Sequence, residues 1–486
     1  MSDNVFKTIN GMGLDFLSQD QMDYIHHSAC NILKSTGIKV ENHKAVEYFS
    51  TAGAYVEKKD SKWLVKIPEW LIIDSIQSAE KTITLYGRDP KKDFYLNDNQ
   101  TGFGTFGEQI NIIDPDTKEL RKTTKNDCDN IYKLVDALDN LAWCQRAVCP
   151  SDKPAFSQIV HNFSSLLTNN TKHITIGMVN KESAKAIINM AAAVAGGKEK
   201  LIQRPICSCT CCSISPLILG SQMCDTLIEA TKSGLNVFMT SMALSGGTAP
   251  ITLAGTIAIT LAEILSGLVL TQIIRKGSAC IFSTFSTIMD LKTGLASTGA
   301  PEWSMTGAAI VKMAKYYKIP CLAGTGVTDS KLVDIQAGYE FVMNVLPVAQ
   351  AKANMIVSPG GLESGLTFDY AKLILDHECI SYIKKLLTGI KIDKESMVLD
   401  IIDEVGPGGT YLTHEHTFLH TRTQSQAELF DRKTREQCVA PKKDIIEKAY
   451  EKAKNIIENH KPQPLSNDAQ QAIDEVLIQF EEQNTA

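Results

Sequence analysis

The residues whose types and spacing best suit chemistry lie in Leu322-Ala-Gly-Thr-Gly-Val-Thr-Asp-Ser-Lys331. The preceding Pro320-Cys-Leu-Ala stretch is short, apolar and small, as a strand of a buried parallel sheet must be. Gly324 and Gly326 allow a sharp turn after it, and Asp329 or Ser330 is expected to cap the helix that follows. Lys331 then falls at the C-terminal end of a strand, where parallel α/β enzymes hold their reacting groups. A lysine there suits three chemistries: a desolvated nucleophile, a Schiff-base former, or a residue that carries a modification.

Four further segments fit strand ends: Phe106-Gly-Glu108, Ser283-Thr-Phe285, Pro301-Glu302-Trp303 and Pro359-Gly-Gly-Leu-Glu363. Taken singly, each carboxylate reads equally well as a solvated surface group, and each aromatic as ordinary core. His414-Glu-His-Thr-Phe-Leu-His420 puts His416 and His420 on one helix face, as zinc ligands are, but lacks the strict His-Glu-x-x-His pattern. These histidines are read as anchoring a loop or facing a partner, and no metal is assigned. In Cys207-Ser-Cys-Thr-Cys-Cys212 the alternate cysteines share one strand face, with no second pair or histidine to complete a tetrahedral site. They are read as small apolar residues filling a barrel interior. Ser245-Gly-Gly-Thr lacks the spacing of a dinucleotide fingerprint, and no phosphate-binding Walker loop occurs.

The elements that must position these residues follow from length and periodicity. The chain has 486 residues, 44% of them hydrophobic, and a formal net charge of −6. That is ample material for a large core, and the mild acidity disfavours non-specific nucleic-acid binding. From about residue 125, strands alternate with helices: Leu141–Val148, His173–Val179, Pro205–Cys212, Asn236–Ala243, Ala279–Ser286, Pro320–Gly326 and Asn354–Ser358. Helices such as Lys181–Ala195, Ile218–Ser233, Ile251–Lys276 and Trp303–Tyr317 fall between them. This predicts an α/β fold, a (β/α)8 TIM-type barrel over 125–440, with an α+β extension at 1–124 and a C-terminal helical arm at 441–486. The eighth strand is expected from Phe103–Ile110 or from the region near 410. Ile251–Leu270 is long enough to span a bilayer, but Glu263 and small polar residues interrupt it, so it reads as a buried barrel helix. Met1-Ser-Asp-Asn-Val-Phe-Lys has no apolar core, and thirteen cysteines suit a reducing compartment, so a cytoplasmic location is expected.

Over nearly its whole length the chain resembles the trimethylamine methyltransferase family. The resemblance is carried by Gly11-Met-Gly-Leu-Asp-Phe-Leu, Ser35-Thr-Gly-Ile, Gly87-Arg-Asp-Pro, Phe106-Gly-Glu108, Thr171-Lys-His173 and Gly326-Val-Thr-Asp-Ser-Lys331. It continues through Gln336-Ala-Gly-Tyr-Glu340, Ser358-Pro-Gly-Gly, Glu415-His-Thr, Phe430-Asp-Arg and His460-Lys-Pro-Gln-Pro-Leu. It implies methyl transfer from a methylated amine to the Co(I) corrinoid of a cognate corrinoid protein, in methylamine-dependent methanogenesis, by a homo-oligomer that binds no cofactor tightly itself. It also implies that the Lys331 position is that of pyrrolysine, a lysine acylated on its ε-nitrogen by a methyl-pyrroline ring. On this resemblance Lys331, Asp329 and Glu363 are the catalytic candidates. Phe106, Glu108, Phe285, Glu302, Trp303, Gln336 and Tyr339 are the substrate-binding candidates, the aromatics as a cation–π cage around a methylated ammonium. A literal lysine keeps three alternatives open: a family member acting on a quaternary amine such as glycine betaine, a Schiff-base barrel lyase, and a non-catalytic amine-binding subunit.

Overall fold

The computed structural model describes residues 9–10, 16–59, 62–97, 100–357, 359–437 and 443–485. Ser358 and most of the Gly11–Leu17 motif lie outside the described residues. Eight parallel strands close into a barrel: β1 (Gln100–Gly104), β2 (Leu141–Gln145), β3 (His173–Gly177), β4 (Cys207–Cys212), β5 (Asn236–Ser241), β6 (Cys280–Thr284), β7 (Cys321–Gly324) and β8 (Met355–Val357). Closure is made by β8 against β1, with Val357 opposite Gly104. Each strand is followed by its helix: α1 (Lys125–Ala137), α2 (Gln158–Asn169), α3 (Lys181–Ala195), α4 (Ser221–Lys232), α5 (Leu253–Ile274), α6 (Pro301–Tyr316), α7 (Ile335–Gln350) and α8 (Tyr370–Leu387).

This confirms the barrel and moves its limits. The missing strand is Gln100–Gly104, so the barrel begins inside the stretch assigned to the extension, and the region near 410 supplies no strand. Two glycines, Gly102 and Gly104, had masked it, because they weaken a strand pattern. They are there for space: a Cβ on Gly104 would run into the Trp143 indole. The last barrel helix ends at Leu387. From there to 437 the chain runs outside the barrel in short helices, and those at Lys394–Met397, Leu399–Val405 and Glu415–His420 bury no residue.

The strands are buried on both faces, as in β5, where all of Asn236–Ser241 is buried. Helix α5 is apolar all round for the same reason, and 78% of its most apolar window lies buried inside the fold. Cys207, Cys209 and Cys211 do share a face, but it faces the helix layer, with Cys211 Sγ 3.9 Å from Thr226 Oγ1 of α4. The expected interior packing is therefore made by their neighbours: Ser208 and Thr210 point inward, and the Ser208 hydroxyl meets His173 Nε2 at 2.7 Å. The floor of the barrel is closed by a hairpin, Ile83–Leu85 with Phe94–Leu96, whose Phe94 ring stacks on Trp143 at 6.0 Å.

The extension docks through a shared sheet. Ile218–Leu219, from the loop between β4 and α4, pairs in parallel with Ile38–Val40. The C-terminal helices Ile445–Asn459 and Asn467–Thr485 pack on α8 and α3. The arm is latched by His460 Nε2 against Asp136 Oδ2 and by His161 Nε2 against Glu481 Oε1, each at 2.8 Å. Burial pushes the Asp136 carboxyl up, but the Lys92 ammonium and bonds from Thr171, Lys92 and His460 outweigh it and bring its pKa down to about 2.

Candidate active site

The C-terminal mouth of the barrel gathers most of the expected residues, and it does so by lacing three strand-end loops together. The loop after β7 carries Thr328, Asp329, Ser330 and Lys331. Asp329 does not cap α7. That role falls to Asp334, whose side chain accepts the Ala337 N–H at 2.9 Å. The Asp329 carboxylate is spent on the neighbouring loops: Oδ1 accepts the Thr298 N–H (2.9 Å), the Thr298 hydroxyl (2.8 Å) and the Ser364 hydroxyl (2.6 Å), and Oδ2 accepts the Ser297 hydroxyl (2.7 Å). Half-burial pushes its pKa up, and the bonds from Ser364, Ser297 and Thr298 outweigh that and keep it below the usual carboxylate range. A carboxylate so occupied is a clamp rather than a free proton carrier.

The loop after β8 closes on the same segment. Glu363 N–H donates to the Ser330 carbonyl at 2.9 Å and Ser364 N–H to the Thr328 carbonyl at 2.8 Å. To do this, Glu363 (φ 52°) and Ser364 (φ 55°) both adopt left-handed backbone, a strain of about 1–3 kcal/mol each that persists only where the surroundings over-determine it. The Glu363 side chain accepts the Thr367 hydroxyl at 2.6 Å. Lys331 itself is exposed, and its Nζ donates to the Asp329 carbonyl at 2.8 Å. The desolvated-nucleophile expectation is not met: this amine stands in solvent on the rim.

On the β1 side, Glu108 is also left-handed (φ 71°), and it pairs with the buried Arg146 guanidinium, which follows β2. Burial depresses the Arg146 pKa to about 10. Both residues line a cavity of about 570 Å³ beside Gly177, Thr210 and Cys212 at the ends of β3 and β4. Phe106 and Phe285 meet edge to face at 5.7 Å and pack where side chains at Gly365 and Gly324 would collide with them. Those two half-buried rings form an aromatic wall after β1 and β6.

The remaining candidates are not brought to that wall. Trp303 is 1% exposed, locked in the core beneath α6, while Glu302 sits half-buried in the first turn of that helix. Tyr339 is 69% exposed on the outer face of α7. Gln336 turns to Glu340, donating to its Oε1 at 2.8 Å. Glu302 and Trp303, expected at a strand end, instead open α6, and Gln336 and Tyr339, expected mostly on resemblance, lie on a helix that starts at Ile335 rather than near Lys331. His414 Nδ1 accepts the His416 N–H at 3.1 Å as a helix cap, with the His416 and His420 rings 4.2 Å apart. Among the described residues, three potential metal-ligand atoms converge instead at His26, His27 and Glu69, near Tyr317 and so at the opposite end of β7 from Lys331.

Three contributors were missed. Arg146 and Glu340 carry no motif of their own, although Glu340 closes the Gln336–Glu340 segment. Gln109, next to Glu108, is fully buried, and neither its amide nitrogen nor its oxygen has a partner among the described residues. It lies against the flanking loops: a Cβ on Gly361 would stand 3.2 Å from both its Nε2 and the Val327 methyls. A buried amide left unpaired costs about 1–3 kcal/mol. We therefore expect Gln109→Leu to raise thermal stability, by about 1 kcal/mol, while lowering kcat/KM. A variant with unchanged turnover would make Gln109 a packing residue only.

A family model described as trimethylamine methyltransferase matches residues 3–484. A trimethylamine methyltransferase of Desulfitobacterium hafniense (strain DSM 10664 / DCB-2) is 42% identical over 458 residues, 94% of this chain and 92% of the relative. A glycine betaine methyltransferase of Desulfitobacterium hafniense (strain Y51) is 30% identical over 455 residues, 93% of this chain and 94% of that one. Among solved structures, the monomethylamine methyltransferase of Methanosarcina barkeri superposes with a TM-score of 0.54 at 11% identity, covering 97% of this chain and 89% of its own, a likeness of fold alone.

Proposed function

Because this chain belongs to the trimethylamine methyltransferase family, and is a methyltransferase, we propose that it moves a methyl group from trimethylamine to the Co(I) corrinoid of a cognate corrinoid protein. In this reading residue 331 is pyrrolysine in the native organism. The observation that carries it is the construction around residue 331: three loops and two strained residues fix the segment that presents one exposed side chain at the barrel mouth, open to an incoming partner. The fit is steric as well. The Lys331 amine is exposed and, among the described residues, tied to a carbonyl of its own loop alone, so an acyl extension meets no packed core at that point.

The chemistry explains the demand on position 331. Expelling an amine is difficult unless nitrogen is already quaternary, because only then does the leaving group depart as a neutral tertiary amine. A pyrroline imine at this position supplies an electrophile for the amine lone pair, which a plain lysine, itself a nucleophile, does not. Around it, Phe106 and Phe285 offer ring faces to methylated nitrogen. Glu363 and Glu108, at the ends of β8 and β1, are the carboxylates that would stabilise developing positive charge. The corrinoid belongs to the partner protein. Exposed Ile390, Ile392, Leu412 and Phe418 on the outer segment, and Leu332 and Ile335 beside residue 331, support both partner docking and self-association.

A second reading, demethylation of a quaternary amine such as glycine betaine, rests on the literal lysine and on the 30% identical glycine betaine relative. Methyl transfer to added Co(I) corrinoid protein, measured with each amine on protein from the native source, separates the two. Mass spectrometry of the peptide spanning residue 331 accompanies it. We expect the acyl mass together with trimethylamine turnover. Plain lysine with turnover of glycine betaine alone would reverse the assignment.

A further inference from the structure

We propose that Glu340 is a positioning residue for the reaction: its carboxylate, reaching from the second turn of α7, sets the loop that presents residue 331. Glu340 Oε2 accepts the Asp329 N–H at 2.9 Å and the Thr328 hydroxyl. Thr328 Oγ1 in turn accepts the Ser330 N–H at 2.9 Å. Asp329 through its backbone, Thr328 through its hydroxyl and Ser330 through that same hydroxyl are thereby tied to one carboxylate. Glu340 Oε1 is steadied by Gln336 Nε2 at 2.8 Å.

The loop after the antiparallel pair Thr287–Asp290 and Leu295–Ser297, which follows β6, is shaped to admit this group. Gly299 lies directly against the Glu340 carboxyl, and any Cβ there would overlap it. One turn further along α7, Asn344 Nδ2 donates to the Thr298 (3.3 Å) and Gly299 (3.2 Å) carbonyls, holding that loop in place. Asp329 then bonds Ser297 and Thr298 of the same loop from the other side. Glu340 therefore holds the residue-331 loop from α7, while the loop's own Asp329 carboxylate ties it to the neighbouring strand-end loops. Neither interaction is made by the side chain of residue 331, so the frame stands whatever that residue carries.

A misplacement of about 1 Å in a reacting group costs on the order of 100-fold in rate. Loss of the Glu340 grip should therefore be felt in turnover more than in binding. The inference deepens the trimethylamine reading and rests on it, so the test pairs turnover with a readout that does not need the reaction. Hydrogen exchange at the Asp329 amide, followed in the peptide 322–334, reports the grip directly. For Glu340→Ala we expect faster exchange there and a kcat lowered by about tenfold or more with KM changed far less. Glu340→Gln offers its carbonyl to Asp329 and Thr328 and its amide to a turned-over Gln336. It should restore wild-type exchange and recover kcat to within about threefold. Gly299→Ala, which pushes the carboxylate aside without removing it, should reproduce the alanine defect. Wild-type exchange and turnover in Glu340→Ala would overturn the proposal. So would a Glu340→Gln enzyme that keeps wild-type exchange but is as slow as the alanine variant, because the charge itself would then be needed at the reacting atoms. If the wild-type protein turns over no trimethylamine, the exchange arm still decides whether Glu340 sets the loop.

Discussion

Alanine at position 331 is expected to cut trimethylamine-dependent methyl transfer by about 10⁴-fold or more, the scale of losing a group that takes part covalently. The fold should not notice. Residue 331 is exposed, and its side chain makes one hydrogen bond, to the Asp329 carbonyl of its own loop. The loop is held by Asp329, Glu340 and the backbone of Glu363 and Ser364, none of which depends on that side chain. Substitutions at exposed sites of this kind usually stay within about 0.5 kcal/mol. Melting curves of Lys331→Ala and wild type should therefore superpose while turnover disappears. Retained trimethylamine turnover would remove residue 331 from the chemistry. Lost trimethylamine turnover with retained glycine betaine turnover would place two amines on one scaffold, with only one of them needing residue 331.

The second large effect lies in stability, at Glu263. This carboxylate is fully buried in the middle of α5. It accepts the hydroxyls of Ser213 (2.7 Å), Ser215 (2.8 Å) and Ser241 (2.7 Å) and the Leu217 N–H (2.8 Å). Those donors come from the ends of β4 and β5 and from the loop whose Ile218–Leu219 strand pairs with the N-terminal extension. Glu263→Ala leaves three of these donors without their acceptor, while the Ser213 hydroxyl keeps the Thr240 carbonyl at 3.2 Å. At about 1–3 kcal/mol for each unsatisfied group, with partial relaxation, the loss should be on the order of 4 kcal/mol. At roughly 2.1 cal/mol/K of unfolding entropy per residue, that is a fall of about 4 °C in Tm for a chain that melts cooperatively. Glu263→Gln, which keeps one acceptor oxygen and lets the serine hydroxyls rotate, should lose less than half as much. Calorimetry of the pair checks this, and a Glu263→Ala protein melting within about 1 °C of wild type would show that the loop is held by packing instead.

Glu263 also shows where sequence reading stops. Its polarity in an apolar run was enough to reject a membrane span. What it binds was hidden, because the donors lie 22 to 50 residues away in the chain. Glu340 is a similar case. It sits within a segment already tied to the family, yet its partners Thr328 and Asp329 become visible only once α7 is known to start at Ile335. The Asp329 cap was wrong for the same reason: several residues could cap a helix, and the choice is made by what else competes for the carboxylate. Here Ser297, Thr298 and Ser364 compete, from two other loops.

By itself the sequence determined the barrel, since seven of the eight strands and their helices follow from apolar runs and periodicity that act locally. It also determined the family, because contiguous motifs survive in one dimension. Only the tertiary structure decided which residues share the mouth. It kept Phe106, Phe285, Glu108 and Glu363 there, sent Tyr339 to solvent and Trp303 to the core, and brought in Arg146, Gln109 and Glu340. A site at the end of a closed barrel is assembled from loops far apart in the chain. Which side chain faces inward depends on strand register and on the turn at which each helix begins, and neither is set by local propensity.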